Sequence, residues 1–280
     1  MARVALLANP RSGAGEGAEV EQLLAAAGAE VETFALDERD AAVGGSFRRI
    51  VVAGGDGSVA CAAEVAGRAG VSLAVVPVGT ANDFARALEL PLDPEEAARL
   101  AVRGTRTRRL DLGRVDGDRP FVNAVSAGLS PVAAREAHGL KGALGPLAYA
   151  AGALRAGLGA APISCAVRSD GSELFSNKAW QVTVGLTGAF GGGAEIEADP
   201  HDGLLDVVVI PAGSRLGLVM RAYGMRAGSV EEQRGVVTGR GTEVEIDTEG
   251  DGGFNVDGEL VRTPRVRVTV EPGAFELITG

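Results

Sequence analysis

Residues 49–58 run from an apolar stretch, Arg49–Ala53, straight into Gly54-Gly55-Asp56-Gly57-Ser58 and on into a helical pattern over Val59–Arg68. A strand that passes into a helix through successive glycines commits its surroundings to βα packing. Glycine lets the backbone turn sharply and leaves N–H groups free at the helix start. The rest of the first third obeys that rule. Arg3–Ala8 is a first strand ending at Asn9-Pro10, Ala18–Ala27 reads as a helix and Glu30–Leu36 as a second strand. Leu73–Val78 is a fourth strand reaching Gly79, and helices follow from about Asn82 and over Asp93–Arg103. Strands alternating with helices predict a parallel sheet with right-handed crossovers, whose ligands lie beyond the C-terminal strand ends.

From about Arg106 the pattern changes to consecutive strands: Arg106–Gly113, Phe121–Ala127, Ile163–Arg168, Ala179–Thr187, Leu204–Pro211, Glu243–Asp247 and Arg265–Val270. Val266, Val268 and Val270 alternate with Arg265, Arg267 and Thr269, the period of a half-buried strand. Asp170-Gly171 signals a two-residue hairpin. Only Pro131–Gly159 and Ser214–Met225 read as helical interruptions. The expected fold is therefore an α/β nucleotide-type part over residues 1–115 and a mostly antiparallel β part over 116–270. The last strand, 271–280, is free to complete the first part.

Composition narrows the function classes. The 280-residue chain carries a net charge of −10, which argues against nonspecific nucleic-acid binding, since that rests on neutralising phosphates. Aromatic residues make up 4%, too few for base-stacking platforms. Cys61 and Cys165 are the only cysteines and have no metal-ligand spacing. The apolar run Val4–Ala8 is too short for a signal peptide, and Ala143–Val167 is split by Arg155, so no membrane span is expected. A cytoplasmic chain is the expectation.

Three turns carry the candidate chemistry. Asn9-Pro10-Arg11-Ser12-Gly13 follows the first strand and offers a hydroxyl, a guanidinium and backbone donors. Gly54–Ser58 follows the third, with Asp56 inside it. Gly79-Thr80-Ala81-Asn82-Asp83-Phe84 follows the fourth, with Thr80 and Asn82 as polar ligands. Each alone fits ordinary turn and cap chemistry. Together, on one rim of one sheet, they describe a phosphate site, and a carboxylate there is useful for holding Mg²⁺ or orienting a nucleophile. No Gly-Lys-Ser/Thr follows, so the loop is not a Walker A loop.

At these residues the sequence resembles the soluble bacterial diacylglycerol kinase and lipid kinase family, related to sphingosine and ceramide kinases. The likeness runs through Asn-Pro-Arg-Ser-Gly at 9–13, Gly-Gly-Asp-Gly-Ser at 54–58 and Pro-Val-Gly-Thr-Ala-Asn-Asp-Phe at 77–84. It continues in the family's order through Asp111-Leu112-Gly113, Gly191-Gly192-Gly193, Asp202-Gly203-Leu204-Leu205-Asp206 and Val256-Asp257-Gly258-Glu259. The resemblance implies an N-terminal α/β ATP-binding domain and a C-terminal β-sandwich with the active site in the cleft between them. It also implies transfer of the ATP γ-phosphoryl group to a lipid hydroxyl, nominally of diacylglycerol, with Mg²⁺ as cofactor. It places nucleotide contacts on Asn9, Pro10, Arg11, Ser12, Gly13, Gly54, Gly55, Asp56, Gly57, Ser58 and Thr80. It makes Asp56 the catalytic loop aspartate and Glu259 the general base, and maps a second, structural Mg²⁺ onto Asp199, Asp202 and the Leu204 carbonyl.

The chain departs from the family at four places, the mildest being Ser58 where Thr is common, which keeps the hydroxyl. Ala60-Cys61 stands where many members carry Asn-Glu, His201 where an Asp often stands, and the segment Ala194–His201 is shorter by about two residues. Read by itself, Glu259 also fits a solvated residue after an Asp-Gly hairpin turn, and Asp199 and Asp202 fit a polar loop. Leu140–Leu158, with Lys141 and Arg155, carries a weak interfacial-helix pattern, and Arg103, Arg106, Arg108 and Arg109 form a basic cluster suited to headgroups or to a solvated strand edge. The resulting expectation is a lipid kinase meeting its substrate by transient peripheral contact with a membrane. The alternatives are a kinase for another acceptor, NAD included, or a noncatalytic nucleotide- or lipid-binding protein on the same scaffold. Oligomeric state, a homodimer included, is not legible in the sequence.

Overall fold

The computed structural model describes residues 2–8, 16–129, 161–190, 194–214, 233, 235–249 and 253–280. The expected turn at 9–13, the glycines at 191–193, the helical and interfacial patterns within 131–159 and all but Ser214 of the helical stretch expected over 214–225 lie outside them. The first part builds β1 (Ala2–Ala8), α1 (Glu16–Ala26), β2 (Ala29–Ala35), a 3₁₀ turn (Leu36–Ala42), β3 (Arg49–Gly54), α2 (Asp56–Ala69), β4 (Ser72–Pro77), α3 (Asp83–Ala87) and α4 (Pro94–Arg103). The strands are parallel in the order β2-β1-β3-β4.

The alternation of side chains explains why this sheet takes helices on both faces. Val4, Leu6, Val51, Ala53, Ala74 and Val76 pack with Val20 and Leu24 of α1 and Ala97, Ala98 and Ala101 of α4. The intervening Ala5, Leu7, Ile50, Val52, Leu73 and Val75 pack with Val59, Ala62, Ala63 and Ala66 of α2. Strands apolar at every position belong in a parallel sheet covered twice. Because β1 lies between β2 and β3, its crossover and that of β3 leave in opposite directions. A crevice opens there at the strand ends, the ordinary ligand position of such sheets. Gly54–Ser58 sits at that crevice.

The second part runs through β5 (Thr107–Val115), β6 (Arg119–Phe121), β7 (Ala124–Gly128), β8 (Ile163–Ser169), β9 (Ser172–Gly185), β10 (Ala189–Phe190), β11 (Ala194–Glu195) and β12 (Leu205–Pro211). It ends with β13 (Val237–Gly241), β14 (Glu243–Thr248), β15 (Phe254–Val256), β16 (Glu259–Val261) and β17 (Arg265–Ile278). Its pairings are antiparallel, in the path β16-β15-β7-β9-β8-β14-β17, with β12 on β9 and β13 on β12. Asp170 and Gly171, both at positive φ, close the β8–β9 hairpin. Alternate residues of these strands, among them Val167, Val182, Val184, Val207, Val244, Ile246, Val266 and Val268, fill one core.

Strand β17 is longer than the sequence pattern suggests, because Glu271-Pro272-Gly273 interrupts its alternation. Those residues sit in a register shift between Glu271 and Phe275, a bulge that tolerates a proline without an N–H and a glycine at φ +56. Beyond it the strand continues beside β5 and reaches β4 at Leu277. One strand therefore pairs with β14 in the second part and with β4 in the first, and hydrogen bonding is continuous between them. Arg114 of β5 fastens the same seam, pairing with Glu64 of α2 and Glu271 of β17, each at 2.7 Å.

Arg49, at the start of β3, is only 4% exposed. Its guanidinium donates to the carbonyls of Ala101 and Gly104 at the end of α4, where helix carbonyls lack partners and carry partial negative charge. Burial, then the charge of Arg48, pulls its pKa below the usual arginine value. Replacing it with methionine keeps the volume and strands two carbonyls. Arg49→Met is expected to lose about 1–3 kcal/mol, read as a lower urea midpoint at unchanged slope.

Candidate active site

Glycine at 55 and 79 is what lets the second and third candidate turns meet. A Cβ on Gly79 would lie 2.5 Å from Gly55 Cα and 2.8 Å from Asn82 Oδ1, so no larger residue fits without driving the turns apart. Asn82 takes the left-handed conformation at φ 53 and donates its Nδ2 to the Gly79 carbonyl at 3.0 Å. It therefore shapes the turn and leaves the α3 start uncapped by its own side chain. Asn82 Oδ1 is buried with no donor against it. Thr80 is exposed on the same turn.

The cap of α3 comes from across the crevice. Asp56, the first residue of α2, accepts from Phe84 N–H at 2.8 Å and Asp83 N–H at 3.3 Å. The same Oδ1 that receives Phe84 also receives Asn123 Nδ2 at 2.9 Å. One carboxylate thus joins α2, α3 and the turn before β7. Asn123, 2% exposed, is fixed in turn: Thr187 Oγ1 donates to its Oδ1 at 2.7 Å, and its carbonyl accepts from Leu186 N–H at 2.8 Å.

Asp257 holds that turn from behind. Its carboxylate accepts from the backbone N–H groups of Val122 (2.7 Å), Asn123 (3.0 Å) and Ala124 (3.1 Å). Asp257 and Gly258, at φ 44 and 90, form the two-residue turn between β15 and β16. That turn delivers Glu259 over α2, where a Cβ on Gly57 would stand 3.1 Å from Glu259 Oε1. Arg119 forms an ion pair with Glu259 Oε2. A pocket of about 310 Å³ opens here, lined by Gly57, Cys61, Arg119, Val256 and Glu259, with Arg39. Burial raises the Cys61 thiol pKa, which keeps it protonated near neutral pH and unsuited to nucleophilic work.

Asn9, Pro10, Arg11, Ser12 and Gly13 lie outside the described residues, so no geometry is assigned to them. The structure brings Gly54, Gly55, Asp56, Gly57, Ser58, Thr80, Asn82 and Glu259 to one crevice. Asp199, Asp202 and Leu204 lie elsewhere, on the loop entering β12. There Asp199 accepts from His201 N–H at 3.1 Å, Asp202 Oδ1 from Leu204 N–H at 3.0 Å, and Asp202 Oδ2 from the Arg240 guanidinium. His201 gives its Nδ1 proton to the Arg109 carbonyl at 2.8 Å, since a carbonyl only accepts. Among the described residues no three His, Cys, Asp or Glu side chains gather as a metal site. Arg240 already takes Asp202 Oδ2, so a structural Mg²⁺ on this donor set would compete with a guanidinium for one of its two carboxylates.

The sequence reading passed over Asn123, Asp257 and Arg119. Asp257 stood in a quoted motif without a role, and the buried Asn between Val122 and Ala124 was its available signal. The basic cluster Arg103, Arg106, Arg108 and Arg109 is exposed from the end of α4 to the start of β5, with Arg109 Nε donating to the Gly273 carbonyl at 2.8 Å.

The Asp257 carboxyl titrates at about 7, raised chiefly by burial and further by the Asp56 charge, against the pull of its three N–H donors. A folded value above the unfolded one means that the native state holds this proton more tightly. The stability it contributes is present below the ordinary carboxylate range and is lost as pH rises through about 7. The fall in unfolding free energy between pH 5 and 8, measured by urea titration at roughly half-unit steps, is therefore expected to flatten in Asp257→Asn.

Comparison with known proteins gives this geometry a context. Residues 3–115 match the diacylglycerol kinase catalytic domain, and residues 123–279 match the YegS C-terminal NAD kinase beta sandwich-like domain. A "Probable lipid kinase YegS-like" protein of Serratia proteamaculans is 32% identical over 235 residues, spanning 81% of this chain and 75% of that protein. Another of the same description from Pseudomonas aeruginosa is 33% identical over 246 residues, spanning 84% and 78%. A crystal structure of a diacylglycerol kinase from Bacillus anthracis shares the fold, with a TM-score of 0.76 at 23% identity over 99% of this chain and 97% of that one. The chain belongs to the YegS-like, diacylglycerol kinase-type family of lipid kinases and is a phosphotransferase of the kinase class.

Proposed function

We propose that this protein transfers the γ-phosphoryl group of ATP, with Mg²⁺, to a lipid hydroxyl, diacylglycerol being the nominal acceptor. The observation that carries this reading is the pairing of two carboxylates across one crevice. Asp56 is locked at the glycine turns by three donors, and Glu259 stands over Gly57 beside a pocket of its own. Phosphoryl transfer asks for positioning and charge neutralisation more than for covalent catalysis. The glycine turns suit the first need, because they let phosphates approach the backbone at the start of α2.

The donor set here suits a hard cation. Asp56 Oδ2 receives only the long 3.3 Å bond, and Asn82 Oδ1 is a buried oxygen without a donor. Asp56 and Asn82 are the residues that would hold Mg²⁺, which when bound neutralises charge on the transferring phosphates. On the acceptor side the reaction balances simply. The acceptor hydroxyl oxygen bonds to Pγ as its proton passes to the Glu259 carboxylate, and the bond from Pγ to the β,γ-bridging oxygen breaks, releasing ADP. Arg119 steadies Glu259 for that step. The part of the lipid that carries the hydroxyl enters the pocket by Val256 and Cys61. Among the described residues no helix is long and apolar enough to cross a membrane.

The test is transfer from γ-labelled ATP to diacylglycerol, phosphatidylglycerol, sphingosine and NAD presented in mixed micelles. A labelled lipid is expected, and labelled NAD or ATP binding without any product would overturn the reading. Asp56→Asn keeps an oxygen for Phe84 N–H and Asn123 and turns its amide toward the weakest donor. It is expected to melt close to the wild type while losing turnover by at least about 10²–10⁴-fold. Glu259→Gln is expected to lower kcat by roughly 10²–10⁴-fold with little change in ATP affinity, measured by steady-state kinetics and nucleotide titration.

A further inference from the structure

The loop into β12 carries Asp199 and Asp202, which the family resemblance gives to a structural metal ion, and an arginine ties Asp202 to Asp206 of the strand that follows. Asp206 and Arg240 are register partners across β12 and β13, so their side chains leave the sheet on the same face. Arg240 Nε donates to Asp206 Oδ1 at 2.7 Å, and its Nη2 pairs with Asp202 Oδ2. One guanidinium therefore spans two carboxylates, one from the loop and one from the strand. Asp206 is mostly enclosed, with its Oδ2 buried and unpartnered.

The loop is secured on its other flank without metal as well. Asp111, 2% exposed, accepts from Gly203 N–H and Gly273 N–H, each at 2.7 Å, and its own N–H donates to the Pro200 carbonyl at 2.9 Å. What that arrangement leaves unsolved is the repulsion between Asp202 and Asp206. A divalent cation would relieve it by taking six or more oxygen ligands. A guanidinium relieves it with a planar fork that is charged at every accessible pH. Both cannot occupy the same carboxylate oxygens.

We propose that Arg240 is a built-in cation that replaces a divalent metal ion between Asp202 and Asp206, so that the turn over residues 199–204 is held without metal. The test is thermal unfolding and calcium titration of the nucleotide-free protein in EDTA and in millimolar Mg²⁺ or Ca²⁺. The wild type is expected to show no divalent-ion shift in melting temperature that Asp202→Asn removes, and to give no calcium isotherm from this loop. Arg240→Met frees both carboxylates. It is expected to melt about 2–6 °C lower in EDTA, to regain most of that loss with Mg²⁺ or Ca²⁺, and to lose the rescue when Asp206→Asn is added. Arg240→Lys, which keeps the charge without the fork, is expected to fall between the two and to ignore divalent ions.

A wild-type melting temperature that rises with divalent ions, with the rise abolished by Asp202→Asn, would overturn the proposal. So would an Arg240→Met protein that melts like the wild type, or one that is weakened and deaf to metal, since the pair is then an ordinary cross-strand ion pair. Should Arg240→Met fail to fold, the wild-type titration and the lysine variant decide the question by themselves.

Discussion

The carboxylate of Asp56 is the point on which the arrangement turns. It belongs to α2, it caps α3, and it takes the amide of Asn123 from the turn before β7. Three segments that the chain visits at residues 56, 83 and 123 therefore share one acceptor. Its oxygens are committed to donors on two sides of the crevice, so the crevice can neither open nor shear without stranding a charge in a partly buried place. The catalytic role proposed for Asp56 draws on this structural work, since positional accuracy at a carboxylate comes from the hydrogen bonds that fix it.

The same device recurs through the fold. Asp257 receives three consecutive N–H groups at residues 122–124, Asp111 receives those of Gly203 and Gly273, and Asp170 receives those of Thr242 and Glu243. Each carboxylate sits on one segment and clamps the turn of another far away in sequence. Backbone N–H groups in turns lack ladder partners, and an ionised carboxylate is the strongest acceptor for them. Part of the chain's acidity is thus internal scaffolding. In the Val-Asp-Gly-Glu stretch the two roles lie two residues apart: Asp257 clamps, and Glu259 faces the pocket.

The sequence displayed the parts of this plan that are local. The strand-glycine-helix passage at 49–68, the alternation in Arg265–Val270 and the hairpin at Asp170-Gly171 each depend on residues within a short window, and the structure contains all three. A strand over 271–280 beside the first part was legible, but its continuity with Arg265–Val270 was hidden because Pro272 and Gly273 look like a stop and are a bulge. Short strands such as β13, with two glycines in five residues, carry no periodicity to read. Asn123 and Arg119 escaped for a deeper reason. Their partners, Asp56 and Glu259, lie 67 and 140 residues away, and nothing in the spacing of one residue announces another at that distance. Arg240 is the sharpest case, since Gly239-Arg240-Gly241 reads as a surface turn until the register sets it opposite Asp206.

The departure at Ala60-Cys61 takes on a different meaning once α2 is placed. Polar residues at those positions suggest contacts with the nucleotide, and their absence suggests a weakened nucleotide site. Ala60 instead packs at 1% exposure within the apolar core between α2 and the sheet. Cys61 lies one helical turn beyond Gly57 and therefore on the face that Glu259 overhangs. The substitution thus removes polarity from one side of the pocket beside Glu259 and leaves the glycine turns untouched. A small, protonated thiol beside Val256 makes that side apolar, while Arg39, Asp118, Arg119 and Glu259 keep the rest of the lining charged. Such a pocket, apolar on one side and charged on the other, suits the part of an acceptor where an apolar body meets a hydroxyl.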